Sequence, residues 1–276
     1  MWKEREMKGT LYIVATPIGN LGDFSLRAVE TLKNVDLIAC EDTKHSLILL
    51  NHYEIKNKLI SYHKFNEESR VDYIKGFLDE GKDVALISDA GMPLISDPGF
   101  RLVEHLQNEE YKITVIPGAC ALVNALALSG FDTMKFYFFG FLSGNVSKQI
   151  EDLSKIKDLD CTLIFYISPH GLEKDLETIA KVFGNRRARL VNEMTKIYEK
   201  VIKFNLCEKF DYEIKGECVL VVEGNAEEND LLSLTIKEHI AYYVNMGIDE
   251  KNALKMVAKD RKISKSEVYS QSGKIK

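Results

Sequence analysis

An α/β protein of two sheet-forming halves with a small helical tail is what this 276-residue sequence predicts. Three observations carry that expectation. Short, wholly apolar runs alternate with helically periodic segments through the first half; the second half strings apolar runs on shorter links; the chain beyond residue 227 shows helical patterns only. Strands without polar alternation, each followed by a helix, belong to a parallel sheet covered on both faces.

Leu11 to Ala15 reads as the first strand, Thr16-Pro17-Ile18-Gly19-Asn20-Leu21-Gly22-Asp23 as a loop, and Leu26, Val29, Leu32 and Val35 as one face of a helix. Leu37 to Cys40 with a helix through Leu50, Asp83 to Ser88, and Ile113 to Ile116 repeat the pattern, and Ala121 to Leu128 forms a helix of small and apolar residues. The aromatic run Phe136 to Phe141 marks a boundary, giving expected domains 1–134 and 135–226. In the second domain Cys161 to Ile167, Ala188 to Glu193, Lys200 to Phe204 and Glu217 to Glu223 read as strands of a mixed or antiparallel sheet, with Leu172 to Phe183 as a helix. After an acidic linker at 225–230, helices at 232–245, 249–258 and 264–271 form a third domain, 227–276, whose last two helices resemble a helix-turn-helix.

Apolar residues at 45% and charged residues at 29% exclude a disordered chain. No apolar run is long enough to span a bilayer, and Met1 to Glu6 lacks the apolar core of a signal peptide, so a cytoplasmic location is expected. The five cysteines are scattered without a C-x-x-C pair and the six histidines show no ligand spacing, which predicts reduced thiols and no metal. Net charge is −5, yet residues 251–276 carry eight basic side chains against Asp260 and Glu267, a local +6 that leaves −11 for the rest. A basic end on an acidic body suits a partner such as nucleic acid, although a solvated helix face has the same composition.

The most informative segment is Ser88-Asp89-Ala90-Gly91-Met92-Pro93-Leu94-Ile95-Ser96-Asp97-Pro98-Gly99, too long and too rich in Gly and Pro for a simple connection. With the loops at 16–23 and 117–121 it follows a strand of one sheet, so all three converge at the carboxyl edge where open α/β sheets bind ligands. Neither a dinucleotide fingerprint nor a P-loop occurs in them. These loops, with Cys40-Glu41-Asp42-Thr43-Lys44-His45 and Gly216 to Gly224, resemble the ribosomal RNA small subunit methyltransferase I family, of tetrapyrrole methylase fold.

That resemblance implies S-adenosylmethionine in a cleft between two α/β domains, a homodimer, and methylation of a cytidine ribose 2′-oxygen in the decoding region of bacterial 16S rRNA, with the rRNA or the small ribosomal subunit as partner. It implies that Asp89, Gly91, Met92, Pro93 and Ile95 line the cofactor, with Pro17 and Ser96 in the same loops. Ala119 and Cys120 form a second wall, closed by Met194 or its neighbours from the other domain. Met92 stands where the family usually has Thr, and Cys120 where Ser is common; neither removes a charge.

Transfer to a weakly acidic hydroxyl is helped by a base. Glu41, Asp42 and Asp97 lie in loops aimed at the cleft, with Asp42 the first candidate; capping of the following helix explains Glu41 and Asp42 almost equally well. Lys44 and His45 suit phosphate or sugar contacts, and Tyr62-His63-Lys64-Phe65-Asn66 suits base or phosphate contact, a packed turn being the alternative, more for Phe65 than for Lys64. Lys259, Arg261, Lys262 and Lys265 are the expected RNA contacts of the tail. A precorrin or diphthine methyltransferase sharing the same loops, and a non-catalytic RNA-binding assembly factor, are the competing readings.

Overall fold

The computed structural model describes residues 8–225, 234–245 and 247–272. The linker 226–230, the start of the tail domain at 227, Leu232, Lys274, Lys276 and the N-terminal Met1 to Glu6 lie outside the described residues. Two units emerge: residues 1–157 with 161–223, and residues 158–160 with 224–276.

The first unit holds two five-stranded sheets. In the first, β1 (Thr10–Val14), β2 (Leu37–Cys40), β3 (Leu59–Ser61), β4 (Val84–Ile87) and β5 (Lys112–Ile116) are all parallel, in the order β3-β2-β4-β1-β5. Every residue of β2 and β4 is buried, as expected of strands covered on both faces. One face packs Leu11, Leu37 and Leu86 against α3 (Glu67–Asp79) and α4 (Phe100–Asn108); the other packs Val14, Ile38 and Ile87 against α1 (Leu26–Asn34) and Leu50 of α2 (Thr43–His52). Each buried aliphatic side chain contributes about 1.5–3 kcal/mol relative to exposure. Val14 stands opposite both Ile87 and Ile116, so β1, β4 and β5 end level and their loops start side by side.

The second sheet contains β6 (Phe136–Phe141), β7 (Thr162–Ile167), β8 (Arg187–Asn192), β9 (Lys200–Asn205) and β10 (Cys218–Val222), in the order β6-β7-β10-β8-β9. It is mixed, with β6 and β7 parallel and the other pairs antiparallel. Helix α5 (Ala121–Ser129) follows β5 in sequence but packs on this second sheet, placing Leu122, Ala125 and Leu126 against Ile164, Val191 and Val221. The crossing from one sheet to the other is therefore the Pro117 to Cys120 segment. The opposite face packs Phe165 against Phe183 of α7 (Leu172–Phe183), which neighbours α6 (Val146–Ser154).

The helical unit contains α8 (Ile236–Asn245), α9 (Glu250–Asp260) and α10 (Lys265–Gln271) around Ile240, Ala253, Val257 and Val268. Asp249 caps α9, and Ser264 with Glu267 forms a capping box on α10. Lys262, at φ 52°, makes the turn between them. Arg261, expected among the RNA contacts, makes bonds within the unit: Nε donates to His239 Nδ1 at 3.2 Å and Nη2 to the Leu234 carbonyl, so this guanidinium ties the unit together. Buried His239 also sets Nε2 3.3 Å from Asp260, whose Oδ2 accepts from the Tyr243 hydroxyl at 2.6 Å. Lys259, Lys262 and Lys265 are exposed. Among the described residues no helix is long and apolar enough to cross a membrane.

Candidate active site

The site grows from the level ends of β1 and β4. Thr16 N–H donates to the Gly91 carbonyl at 2.9 Å and Gly91 N–H to Thr16 at 3.1 Å, a bridge that joins the first two loops. The Thr16 and Ser88 hydroxyls point inward and donate to the carbonyls of Ser88 and Gly91. Gly91 needs its lack of a side chain: φ is 86°, and a Cβ there would lie 3.1 Å from Ile18. Farther along, Leu94 and Ser96 adopt positive φ, as do Glu193 and Thr195 after β8. Of the seven described non-glycine residues in that region of backbone space, four thus lie in two segments that face one cavity.

That cavity is ≈ 470 Å³ and lies between the loop ends of the two sheets. Its first-sheet wall is Ile18, Glu41, Asp89, Met92 and Ile95 to Asp97; its second-sheet wall includes Tyr166, Val191, Glu193, Met194 and Glu217, with Cys120 and Ala121 at the crossing. Five carboxylates line this one recess, and burial together with their like charge acts on two of them, Asp97 and Glu41. Asp97 responds most, its pKa pushed up to about 6 chiefly by burial and then by Glu41, with Asp89 and Glu217 adding to it while the Ser88 hydroxyl works against the rise. Glu41 is also pushed up, by burial and Asp89, against the pull of His63 and Lys64. Burial raises the Tyr166 phenol to about 12, which keeps it a hydrogen-bond donor at neutral pH.

Of the residues expected at the cofactor, Asp89, Met92, Ile95, Ser96, Cys120 and Met194 line this cavity. Gly91 and Pro93 are buried behind its wall, and the Ala119 carbonyl sits near Gly91. Pro17 lines instead an adjoining recess of ≈ 310 Å³, shared with His45. Glu41 and Asp97 reach the cavity, whereas Asp42 does not: its Oδ1 accepts from Lys44 N–H at 2.8 Å and His45 N–H at 3.4 Å, the geometry of an N-cap. Of the two readings of Asp42, base or helix cap, the geometry supplies the cap, and Asp97 is the carboxyl in the cavity that burial pushes up most. Lys44 is exposed on α2. In the 62–66 segment Tyr62 is the buried ring and Phe65 is 84% exposed, so the packed-turn alternative fails for Phe65. Asn66 accepts from His63 N–H and donates to Ser61, holding the turn.

Sequence reasoning missed the second-sheet wall beyond Met194. Tyr166 lies near the end of β7, and Glu193 and Glu217 flank the ends of β8 and β10; an acidic or phenolic residue at the tip of an apolar strand was the available signal. No group of three or more His, Cys, Asp or Glu among the described residues is arranged to hold a metal ion.

Residues 10–209 match the family of tetrapyrrole (corrin/porphyrin) methylases. The chain is 43% identical to ribosomal RNA small subunit methyltransferase I of Halalkalibacterium halodurans, covering 98% of this chain and 96% of that protein. It is 42% identical to the protein of the same name from Bacillus subtilis, covering 95% and 93%. The solved structure of the methyltransferase CobJ superposes with a TM-score of 0.60 at 17% identity, covering 79% of this chain and 95% of that one, a likeness of fold. Its two sheets, its loop-end cavity and these full-length matches together make the chain a member of the ribosomal RNA small subunit methyltransferase I family, within the tetrapyrrole methylases.

Proposed function

We propose that the chain methylates the ribose 2′-hydroxyl of a cytidine in the decoding region of bacterial 16S rRNA, using S-adenosylmethionine. The observation that carries this reading is the cavity at the carboxyl edge of the parallel sheet, with the Asp97 carboxyl, pushed up to about 6 by burial and by Glu41, in its wall. Its lining fits the donor: Ile18, Ile95, Met194 and Val191 offer apolar surface to a flat base, and Asp89, Glu193 and Glu217 offer negative charge to an ammonium and a sulfonium. When bound, that cofactor supplies an electrophilic methyl group.

The residues of the chain supply alignment, dryness and a proton acceptor. The Asp97 carboxylate takes the proton that the 2′-hydroxyl gives up; a pKa near 6 leaves it mostly ionised at neutral pH yet basic enough to accept. Glu41, Asp89 and Glu217 sustain that pKa, and the protonated Tyr166 donates to whatever oxygen stands beside it. Asp42 positions the start of α2 and, through its backbone N–H, Asp89 Oδ1 at 3.3 Å. Lys259, Lys262 and Lys265 bind phosphates of the rRNA, with Lys44, His63 and Lys64 as further contacts, because cations that displace counterions supply most of the affinity for a polyanion. The reading includes a cytoplasmic homodimer and a division of the body into 1–134 and 135–226, with the tail from 227 as the substrate-binding part.

Purified protein, S-adenosylmethionine and small subunits from cells lacking the gene test it, with mass spectrometry of the recovered 16S rRNA. One methyl group on one cytidine ribose is the expected product. Cofactor binding with no methylation of the subunit would overturn the reading in favour of another acceptor.

A further inference from the structure

We propose that the ≈ 310 Å³ recess beside the donor cavity takes the base and sugar of one nucleoside turned out of the RNA strand. This inference rests on the function proposed above and assigns the acceptor a place. The volume lies at the lower end of small-molecule sites, about 300–1,000 Å³, and so admits one nucleoside and not a length of strand. Ile18, Asp89, Ala90 and Lys196 line both cavities, so a ribose lodged in the recess stands next to the donor. The 2′-oxygen of a stacked nucleotide lies along a shallow groove, and turning the nucleoside out of the strand lets its ribose enter a recess and meet a donor held inside the protein.

The lining has the composition that a base requires. Leu21, Ile48 and Leu49 give apolar surface for its faces, while His45, Asp89 and Lys196 give a donor and acceptor set for its edge and sugar. Ile48 is 71% exposed and Leu21 41%, an uncovered apolar rim at the mouth. The Ser46 hydroxyl is buried in the wall, close enough to the Cys40 thiol to act on it, and has hydrogen-bonding capacity to spare. Lys196 is fixed between the two cavities: Nζ pairs with Glu193 at 2.9 Å, and its stem crosses Gly19, where a Cβ would stand 2.8 Å from Cε. The donor cavity holds five carboxylates and the recess only Asp89 among them, so a nucleoside with its flanking phosphates meets less repulsion at the recess.

Ile48→Asp tests the assignment on a residue exposed enough to leave folding intact. We expect kcat/KM for unmethylated small subunits to fall by about thirtyfold or more, as for loss of a binding hot spot. Calorimetric affinity for S-adenosylmethionine should stay within about twofold, and the mass by light scattering should not change. In a second measurement, cytidine 5′-monophosphate added to the wild-type protein saturated with S-adenosylmethionine should shift the methyl resonances of Ile18 and Ile48 and leave Ile164 in place. Unchanged kcat/KM in the variant, an equal loss of cofactor affinity, or a loss that tracks dissociation into smaller species would each overturn the inference, the last by assigning this rim to a second copy of the chain. A wild-type protein that binds cofactor without methylating subunits would sink the functional reading; the nucleotide titration would then still decide the recess, absence of the shifts counting against it.

Discussion

One recess of the α/β unit gathers carboxylates, whereas one surface of the helical unit gathers lysines. In the first, Glu41, Asp89, Asp97, Glu193 and Glu217 surround one cavity. In the second, Lys251, Lys255 and Lys259 recur every fourth residue along exposed positions of α9, and Lys262 and Lys265 continue at the next turn. A cavity so acidic favours a cationic donor and a tunable carboxyl but disfavours a phosphate backbone. On the proposed function, chemistry and grip on a polyanion pull electrostatics in opposite directions, and carboxylates in one unit with lysines on the other would serve the two needs apart. Damage to the acidic region should cost turnover with little effect on RNA affinity, and damage to the basic one the reverse.

The largest effect should come from Asp97→Asn, which keeps shape and removes the proton acceptor. We expect kcat to fall by about 10²–10⁴-fold, with affinity for small subunits preserved. In the wild-type protein, kcat at saturating substrates should rise roughly tenfold per pH unit up to about pH 6 and then level off, because only the ionised carboxyl accepts a proton. A flat profile between pH 5 and 7 would place the base elsewhere. The stability sign is opposite. A carboxyl whose folded pKa lies above its unfolded value destabilises the fold as pH rises between about 4 and 6, so Asp97→Asn should stabilise the protein near pH 7 by about 1 kcal/mol after allowance for solvent screening, with the gain gone below about pH 4. Denaturant melts at the two pH values check it.

Next in size is reversal of the basic turn. Lys259→Glu, Lys262→Glu and Lys265→Glu together should weaken binding to small subunits by about tenfold or more and flatten the dependence of log affinity on log salt by about three, close to one for each phosphate that the variant no longer neutralises. Filter binding across a salt series measures both. Arg261→Ala is the internal control: its guanidinium serves His239 and Leu234, so the helical unit should lose thermal stability before the salt slope changes.

The same two regions explain what the sequence made legible. Strands β2, β4 and β10 are buried at every position, and their unbroken apolar runs announced them. Strand β3 has three residues of which only Ile60 is buried, and α6 buries only Gln149 and Leu153; such elements are set by their neighbours and leave little pattern of their own. In the site, the Gly and Pro loops of the first sheet were readable because backbone constraint is written in residue type. Tyr166 and Glu217 were not, because they arrive from the ends of antiparallel strands far along the chain. Helix α5 likewise reads as partner of β5, yet its apolar face fits the second sheet.

Glu41 and Asp42, adjacent in sequence, bring the comparison down to neighbouring carboxylates. Glu41 faces the cavity and feels Asp89 first among the charges around it, while Asp42 turns to the first turn of α2 and accepts two backbone N–H groups. If that division holds, Asp42→Ala loses a cap and nothing chemical: stability should drop by about 1 kcal/mol, a melting shift of about 2–4 °C, with kcat within about threefold of wild type. Asp42→Asn, which still caps, should recover most of the lost stability. A kcat for Asp42→Asn as low as that of Asp97→Asn would instead show that the capping oxygen is not the whole use of this side chain, and that the acidic region extends onto α2 toward the rim at His45.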